Sequence, residues 1–181
     1  GGENRIREML VSRYGEDGYI VAPDYSQLEY RGAFQIAGAK KGIQDFIDGM
    51  DLHTDRAKWT IDGKFGAGTW DNATDTERKN WRGDQKTVNF GLLYGSSPRN
   101  DLQKAMFESF YSDYPEMEHW NKCVIADIKA YNYYECPMTG ARYYIHGANN
   151  DNFYRGYDSK GRGWKNKAMN YPVQGGSGRI M

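Results

Sequence analysis

The stretch Arg82-Gly83-Asp84-Gln85-Lys86-Thr87-Val88-Asn89-Phe90-Gly91-Leu92-Leu93-Tyr94-Gly95 decides how the chain is read. Arg82, Lys86, Phe90 and Tyr94 recur every four residues. Each residue of an α-helix advances by about 100°, so four advance by about 400° and these side chains share one slowly drifting face. The helix is expected to run from Thr76 to Tyr94 and to stop at Gly95-Ser96-Ser97-Pro98. Two cations followed by two aromatic rings suit an extended ligand with an anionic end and a flat end, as in a nucleoside triphosphate. Arginine offers bidentate contacts to oxygen, and lysine a point charge that can also give up a proton. The same spacing equally fits a helix with solvated charges at one end and buried aromatics at the other. Gly91 costs roughly 1 kcal/mol of helix stability against alanine, which points to a packing or close-approach need.

Upstream, Tyr19-Ile20-Val21-Ala22 is a short apolar run that reads as a strand, followed by Pro23-Asp24. A carboxylate at a strand-to-helix junction is held rigidly and suits magnesium, which prefers oxygen ligands and keeps waters for substrate phosphates. Asp24 or Ser26 could instead simply cap the next helix. That helix is expected over about 26–39, with Leu28, Phe34 and Ile36 on its apolar side. A shorter helix is expected over 1–16, around Ile6, Met9 and Leu10. Residues 43–60 read as helical in pieces, and 61–76 as a loop rich in glycine and Asx residues.

Downstream, helices are expected over about 101–111 and 116–131, and a hairpin over 133–146 with its turn at Thr139-Gly140. Pro172 is expected to open a last helix. The fold class is therefore α+β, mostly helical with a small sheet.

A length of 181 residues with 39% hydrophobic content suits one globular unit, or two at most. No apolar run approaches the roughly 20 residues that span a bilayer, so no membrane partner is expected, and the start has no apolar signal core. Two cysteines, Cys123 and Cys136, without metal-binding spacing make a reduced intracellular protein the default. A formal net charge of +0 means that any nucleic-acid contact must come from a local basic surface. One candidate spans 155–167, where Arg155, Lys160, Arg162, Lys165 and Lys167 face only Asp158; a solvated glycine-rich loop is the other reading. The frequent aromatics serve either as core or as stacking platforms for bases.

Several segments together resemble family A DNA polymerases, the bacterial DNA polymerase I group. Asp24-Tyr25-Ser26-Gln27-Leu28-Glu29-Tyr30-Arg31 resembles motif A. Arg82, Lys86, Asn89-Phe90-Gly91 and Tyr94-Gly95 resemble motif B, the helix of the fingers. Asp51-Leu52-His53-Thr54 and Asn170-Tyr171-Pro172-Val173-Gln174-Gly175 resemble two further family segments, and Gly140, Arg142 and Tyr143 a weaker one. They occur in the family's order and cover nearly the whole chain.

The resemblance implies a right-hand polymerase fold. Residues 1–42 would be partial palm, 43–131 fingers, and 132–181 a return to the palm through the hairpin and the start of a final helix. It implies that Asp24, helped by the backbone carbonyl of Tyr25, ligates two magnesium ions for an in-line displacement at the primer 3′-hydroxyl. Arg82, Lys86 and His53 would hold the triphosphate, with Lys86 protonating the pyrophosphate. Phe90 would pack on the sugar and base, and Tyr94 near the templating base. Glu29, partnered by Tyr94, would fill the space of a ribose 2′-hydroxyl. Gln27 would lie beside the nucleotide, and Arg142, Asn170 and Gln174 near the primer–template DNA.

The family also carries a downstream His-Asp-Glu element whose Asp is the second metal-binding carboxylate. No such tripeptide occurs in these 181 residues. The resemblance therefore implies an active site completed by a missing downstream segment, with the chain inactive alone. The compact loops look more phage-like than bacterial, and the cytoplasm of a bacterium or a phage-infected host is the expected location. Two other functions compete. A single-subunit RNA polymerase shares a similar motif B, but Glu29 should exclude ribonucleotides. A non-catalytic nucleic-acid-binding module needs basic and aromatic surface, not Asp24 together with Arg82 and Lys86.

Overall fold

Left-handed backbone at Gln27 (φ 55°) opens α1 (Leu28–Ala37), and Gly38, also left-handed at φ 69°, closes it. The computed structural model describes residue 9 and residues 11–21, 24–145 and 164–180. After α1 come α2 (Lys40–Ile47), α3 (Leu52–Phe65), the short α4 (Thr69–Asn72) and α5 (Asp75–Leu93). Helices α6 (Asp101–Asp113) and α7 (Pro115–Tyr131) lead to an antiparallel hairpin of β1 (Tyr133–Glu135) and β2 (Arg142–Tyr144), in which Tyr134 pairs with Tyr143. Helix α8 (Trp164–Ile180) closes the chain. The α+β, mostly helical expectation holds.

Caps explain several boundaries. Thr74 and Glu77 form a capping box: the Thr74 hydroxyl accepts from the Glu77 amide at 3.3 Å, and the Glu77 carboxylate accepts from the Thr74 amide at 2.8 Å. This starts α5 one residue before the periodicity suggests. Asn100 caps α6 through the Gln103 amide at 2.8 Å, and Pro115 sits in the first turn of α7, where its missing N–H costs nothing.

The core gathers where α1 crosses α2, α7 and α8. Tyr30 and Phe34 of α1 meet Phe110 of α6, and Phe34 lies 4.7 Å from Tyr114, centroid to centroid. Gly42 of α2 is a close-approach residue, because a Cβ there would fall 2.4 Å from the fully buried Phe34 ring. Gly42→Ala improves helix propensity by about 1 kcal/mol but overpacks a ring with nowhere to go. The expected outcome is a net loss of about 2 kcal/mol, read from the urea midpoint at unchanged slope. Gly175 plays the same part in α8: a Cβ would meet the Tyr143 hydroxyl at 2.3 Å, so this glycine lets the hairpin lie against the helix.

Three expectations need correction. Residues 61–76 are not a loop. Ile61 is fully buried against Ala57 and Trp70, so α3 continues to Phe65, and the Asp62 carboxylate accepts from the Trp70 amide at 2.8 Å to seat α4. Pro172 does not open the last helix; it lies inside α8, which begins at Trp164. Gly176 to Gly178 are helical too, with Gly176 and Ser177 buried, so burial overrides their weak propensity. Tyr19 to Val21 form no strand. They pair with no strand among the described residues, and Tyr19 and Val21 are 92% and 82% exposed.

The expected helix over 1–16 lies largely outside the described residues; residues 11–14 are not helical, and Gly15–Asp17 is a single 3-10 turn. Ala22, Pro23, His146 and the basic residues Arg155, Lys160 and Arg162 also lie outside them.

Candidate active site

α3 and α5 pack side by side, and their neighbouring ends, with the start of α1 and the far part of α8, enclose a cleft of about 520 Å³. Its lining unites most of the residues singled out in the sequence. The segment before and at the start of α1 supplies Asp24, Tyr25, Gln27 and Glu29. α3 supplies His53, α5 supplies Arg82, Lys86 and Phe90, and α8 supplies Gln174.

The periodic face of α5 is present in the structure. Lys86 Nζ stands 5.9 Å from the Phe90 ring centroid, and Phe90 stacks on Tyr94 at 6.0 Å and 25°. The His53 ring lies 6.0 Å from Phe90. Tyr94 is not in the cleft lining; it faces the far side of Phe90, toward Ser96, Arg99 and Phe107. Burial raises its phenol pKa, the Glu29 carboxylate raises it further, and a bond from Gln174 pulls the other way. Glu29 and Gln174 thus both lie near enough to act on the Tyr94 phenol.

Asp24 is exposed and has no ion-pair partner among the described residues. Neither it nor Ser26 caps α1: the cap position is Gln27, with no side-chain cap bond. The left-handed conformation of Gln27 costs on the order of 1 kcal/mol, the kind of strain that collects at functional sites. Its Nε2 lies 3.5 Å from Asp51, and its buried Oε1 has no partner among the described residues.

Besides Tyr94, two expected residues do not converge on the cleft. Arg142 is on the hairpin, paired with Glu135 at 2.8 Å. Asn170 is half-buried in α8, and its Oδ1 has no partner among the described residues. The need inferred for Gly91 is also absent among the described residues. A Cβ there would meet Ser96 at 3.4 Å, an ordinary contact.

Asp51 is the residue that sequence reasoning missed. Its carboxylate caps α3, accepting from the His53 and Thr54 amides at 3.0 and 3.3 Å. It also accepts from Arg82 Nη2 at 3.0 Å, while Arg82 Nε donates to Thr54 Oγ1 at 2.9 Å. Burial pushes the Asp51 pKa up, but the bonds from Arg82 and Thr54 outweigh it and the net shift is downward. Asp51 thus holds the Arg82 guanidinium at the cleft with further N–H groups unengaged. The sequence shows Asp51 in a family segment and three residues before Thr54, a capping pattern, but gives no sign of its second partner.

The His53 pKa is lowered to about 4, first by burial, with Arg82 and Lys86 lowering it and Asp51 opposing. Unfolded, the ring titrates near the ordinary value of about 6.5. The unfolded chain therefore takes up a proton that the folded chain refuses. The contribution of His53 to stability is complete above about pH 6.5 and is lost as pH falls toward 4, by up to about 3 kcal/mol. Urea unfolding of wild type and His53→Gln should converge across that window; parallel curves would remove the assignment.

Magnesium suits the oxygen donors at hand, the Asp24 carboxylate and the Tyr25 carbonyl. Among the described residues, however, no three His, Cys, Asp or Glu side chains come together to hold a metal on their own. The donors fit part of a metal site and not a whole one. Among the described residues, no helix is long and apolar enough to cross a membrane.

The sequence model described as DNA polymerase family A matches residues 2–181. A thermostable DNA polymerase I of Thermus thermophilus is 30% identical, over 98% of this chain and 20% of its own length. DNA polymerase I of Streptococcus pneumoniae strain R6 is 29% identical, over 97% of this chain and 19% of its own length. The chain thus spans about a fifth of the curated relatives it matches. Among solved structures, the POL domain of Pol1 from M. smegmatis, in complex with DNA primer-template and dNTP, superposes with a TM-score of 0.62 at 21% identity. That likeness covers 84% of this chain and 26% of the other, and it bears on the fold. With the family match running from residue 2 to residue 181, the chain belongs to DNA polymerase family A.

Proposed function

We propose that this chain carries the nucleotide-binding part of a template-directed DNA polymerase active site, which adds deoxynucleoside triphosphates to a primer 3′-hydroxyl. The observation that carries the reading is one cleft uniting Asp24 and Glu29 with Arg82, Lys86, Phe90 and His53. A triphosphate lies along α5, its charge met by Arg82, Lys86 and the His53 ring, its sugar and base on Phe90. Glu29 occupies the place of a ribose 2′-hydroxyl, and Gln27 flanks the nucleotide. Asp24 and the Tyr25 carbonyl hold magnesium, which when bound lowers the barrier to attack by the primer hydroxyl and steadies the leaving pyrophosphate. Lys86 is placed to give a proton to that pyrophosphate. Tyr94 closes the end of the face near the templating base, and Gln174, Asn170 and Arg142 meet the primer–template DNA, the last two from outside the cleft. The spans 1–42, 43–131 and 132–181 correspond on this reading to palm, fingers and returning palm.

A second carboxylate, from the family's His-Asp-Glu element, completes the site. The chain alone is therefore expected not to extend a primer. A Thermus thermophilus polymerase carrying residues 2–181 in place of its matching segment should extend one, and the same chimera with Asp24→Ala should not. A chimera that folds and binds primer–template DNA yet fails to extend it would overturn the proposal. So would extension by the Asp24→Ala chimera.

A further inference from the structure

Behind His53 runs a buried chain of side-chain amides that the reading above does not use. Gln85 and Asn89, one turn apart on α5, are both fully buried, and His53 is 5% exposed. Gln85 Nε2 lies 2.7 Å from Asn89 Oδ1, and Asn89 Nδ2 lies 2.9 Å from His53 Nδ1. The Tyr30 hydroxyl donates to the Asn89 backbone carbonyl and ties this turn of α5 to α1.

The direction of the chain decides which ring nitrogen of His53 carries its proton. As it stands, Gln85 donates to Asn89, Asn89 donates to His53 Nδ1, and among the described residues only the Gln85 carbonyl oxygen of this chain of groups has no partner. Reversed, His53 Nδ1–H would donate to Asn89 and Asn89 to Gln85. The amide NH2 of Gln85 would then be left in the interior without an acceptor. Orphaned N–H groups in protein interiors are rarer than under-satisfied carbonyl oxygens, and burying a polar group without a partner is costly. The first direction wins, so the neutral ring bears its proton on Nε2.

We propose that Asn89, oriented by Gln85, is a positioning residue that fixes His53 as the Nε2–H tautomer, so that a neutral imidazole offers a hydrogen bond to a phosphate oxygen in the cleft. The phosphate part rests on the function proposed above; the tautomer does not. The groups facing His53 are Asp51 on its own helix, Arg82, Lys86 and Phe90 on α5, and Tyr30 on α1. Arg82 and Lys86 supply the charge for an anionic ligand. A neutral donor adds direction without a third cation in their midst.

Long-range 1H–15N correlation on the labelled chain reads the tautomer directly. Wild type at neutral pH should show Nε2 protonated and Nδ1 bare; a protonated Nδ1, or an averaged mixture, overturns the inference. In Asn89→Asp the new carboxylate accepts from Nδ1, so the spectrum should switch to a protonated Nδ1. The magnesium–dNTP dissociation constant should rise about tenfold, the loss of one good hydrogen bond, with a pH dependence near neutrality that wild type lacks. An unchanged His53 spectrum in a folded Asn89→Asp overturns the role of Asn89. Should that variant not fold, the wild-type tautomer still decides. Wild type with the expected tautomer but no triphosphate binding overturns the phosphate assignment and the functional reading with it, whereas triphosphate binding with Nδ1 protonated overturns the inference alone.

Discussion

Replacing Arg82 by alanine is expected to weaken binding of a magnesium deoxynucleoside triphosphate about 100-fold, against about tenfold for Lys86→Ala. Both side chains face the cleft, and both are cations, so simple loss of charge would make them equal. The difference comes from Asp51. In the wild type its carboxylate is paired with Arg82 at 3.0 Å. Without Arg82, that carboxylate stands unneutralised where an anionic ligand must bind, and repulsion adds to the lost attraction. Arg82→Ala combined with Asp51→Asn should therefore recover binding to about the Lys86→Ala level, since asparagine caps a helix as well as aspartate. Calorimetric titration of the four proteins gives the comparison. Equal losses for the two single variants, or no recovery in the double variant, would remove Asp51 from the site.

A large stability effect should come from removing the partner of Arg56, which is 1% exposed inside the helical bundle. It reaches from α3 to α6, donating to Asp113 at 2.8 Å and to Ser109 at 2.9 Å. Its guanidinium also lies over Phe110 at 5.2 Å and Tyr114 at 5.4 Å. Removing Asp113 leaves a buried cation without its counter-charge, and Asp113→Ala should cost about 3 kcal/mol. Arg56→Met keeps most of the volume and removes the need for pairing, so it should cost under about 1 kcal/mol and could even stabilise. The ordering is the diagnostic. If Arg56→Met were the more damaging change in urea unfolding, then hydrogen bonding by Arg56, not relief of a buried charge, would hold α3 to α6.

Helix α5 was legible because the four-residue recurrence sets its face; its start was placed one residue late because the Thr74–Glu77 capping box went unread. The stretch over 61–76 was not legible. Gly63, Gly66 and Gly68 speak for a loop, and only the tertiary burial of Ile61 against Trp70 overrides them. Pro172 misleads for a related reason: proline favours a first turn, but here the helix begins eight residues earlier and carries the proline inside a packed interior. In the site, Asp24, His53 and the α5 face could be named from their motifs. The Asp51–Arg82 pair could not, because its partners are 31 residues apart and nothing local marks the second one. The same holds for the bond between Asn89 and His53, which joins helices distant in sequence. Arg142 and Asn170 carry motif positions, yet neither reaches the cleft. Any contact they make with DNA must come from the surface around it.

The most direct measurement is a titration of the 15N-labelled chain with a deoxynucleoside triphosphate, with and without magnesium, beside Asp24→Ala. The account predicts amide shifts gathered at the start of α3 and along the Arg82–Tyr94 face. They should be strengthened by magnesium, and Asp24→Ala should remove that strengthening. Shifts scattered elsewhere would contradict it. So would binding of primer–template DNA that ignores both nucleotide and metal, which would make the chain a plain nucleic-acid-binding module.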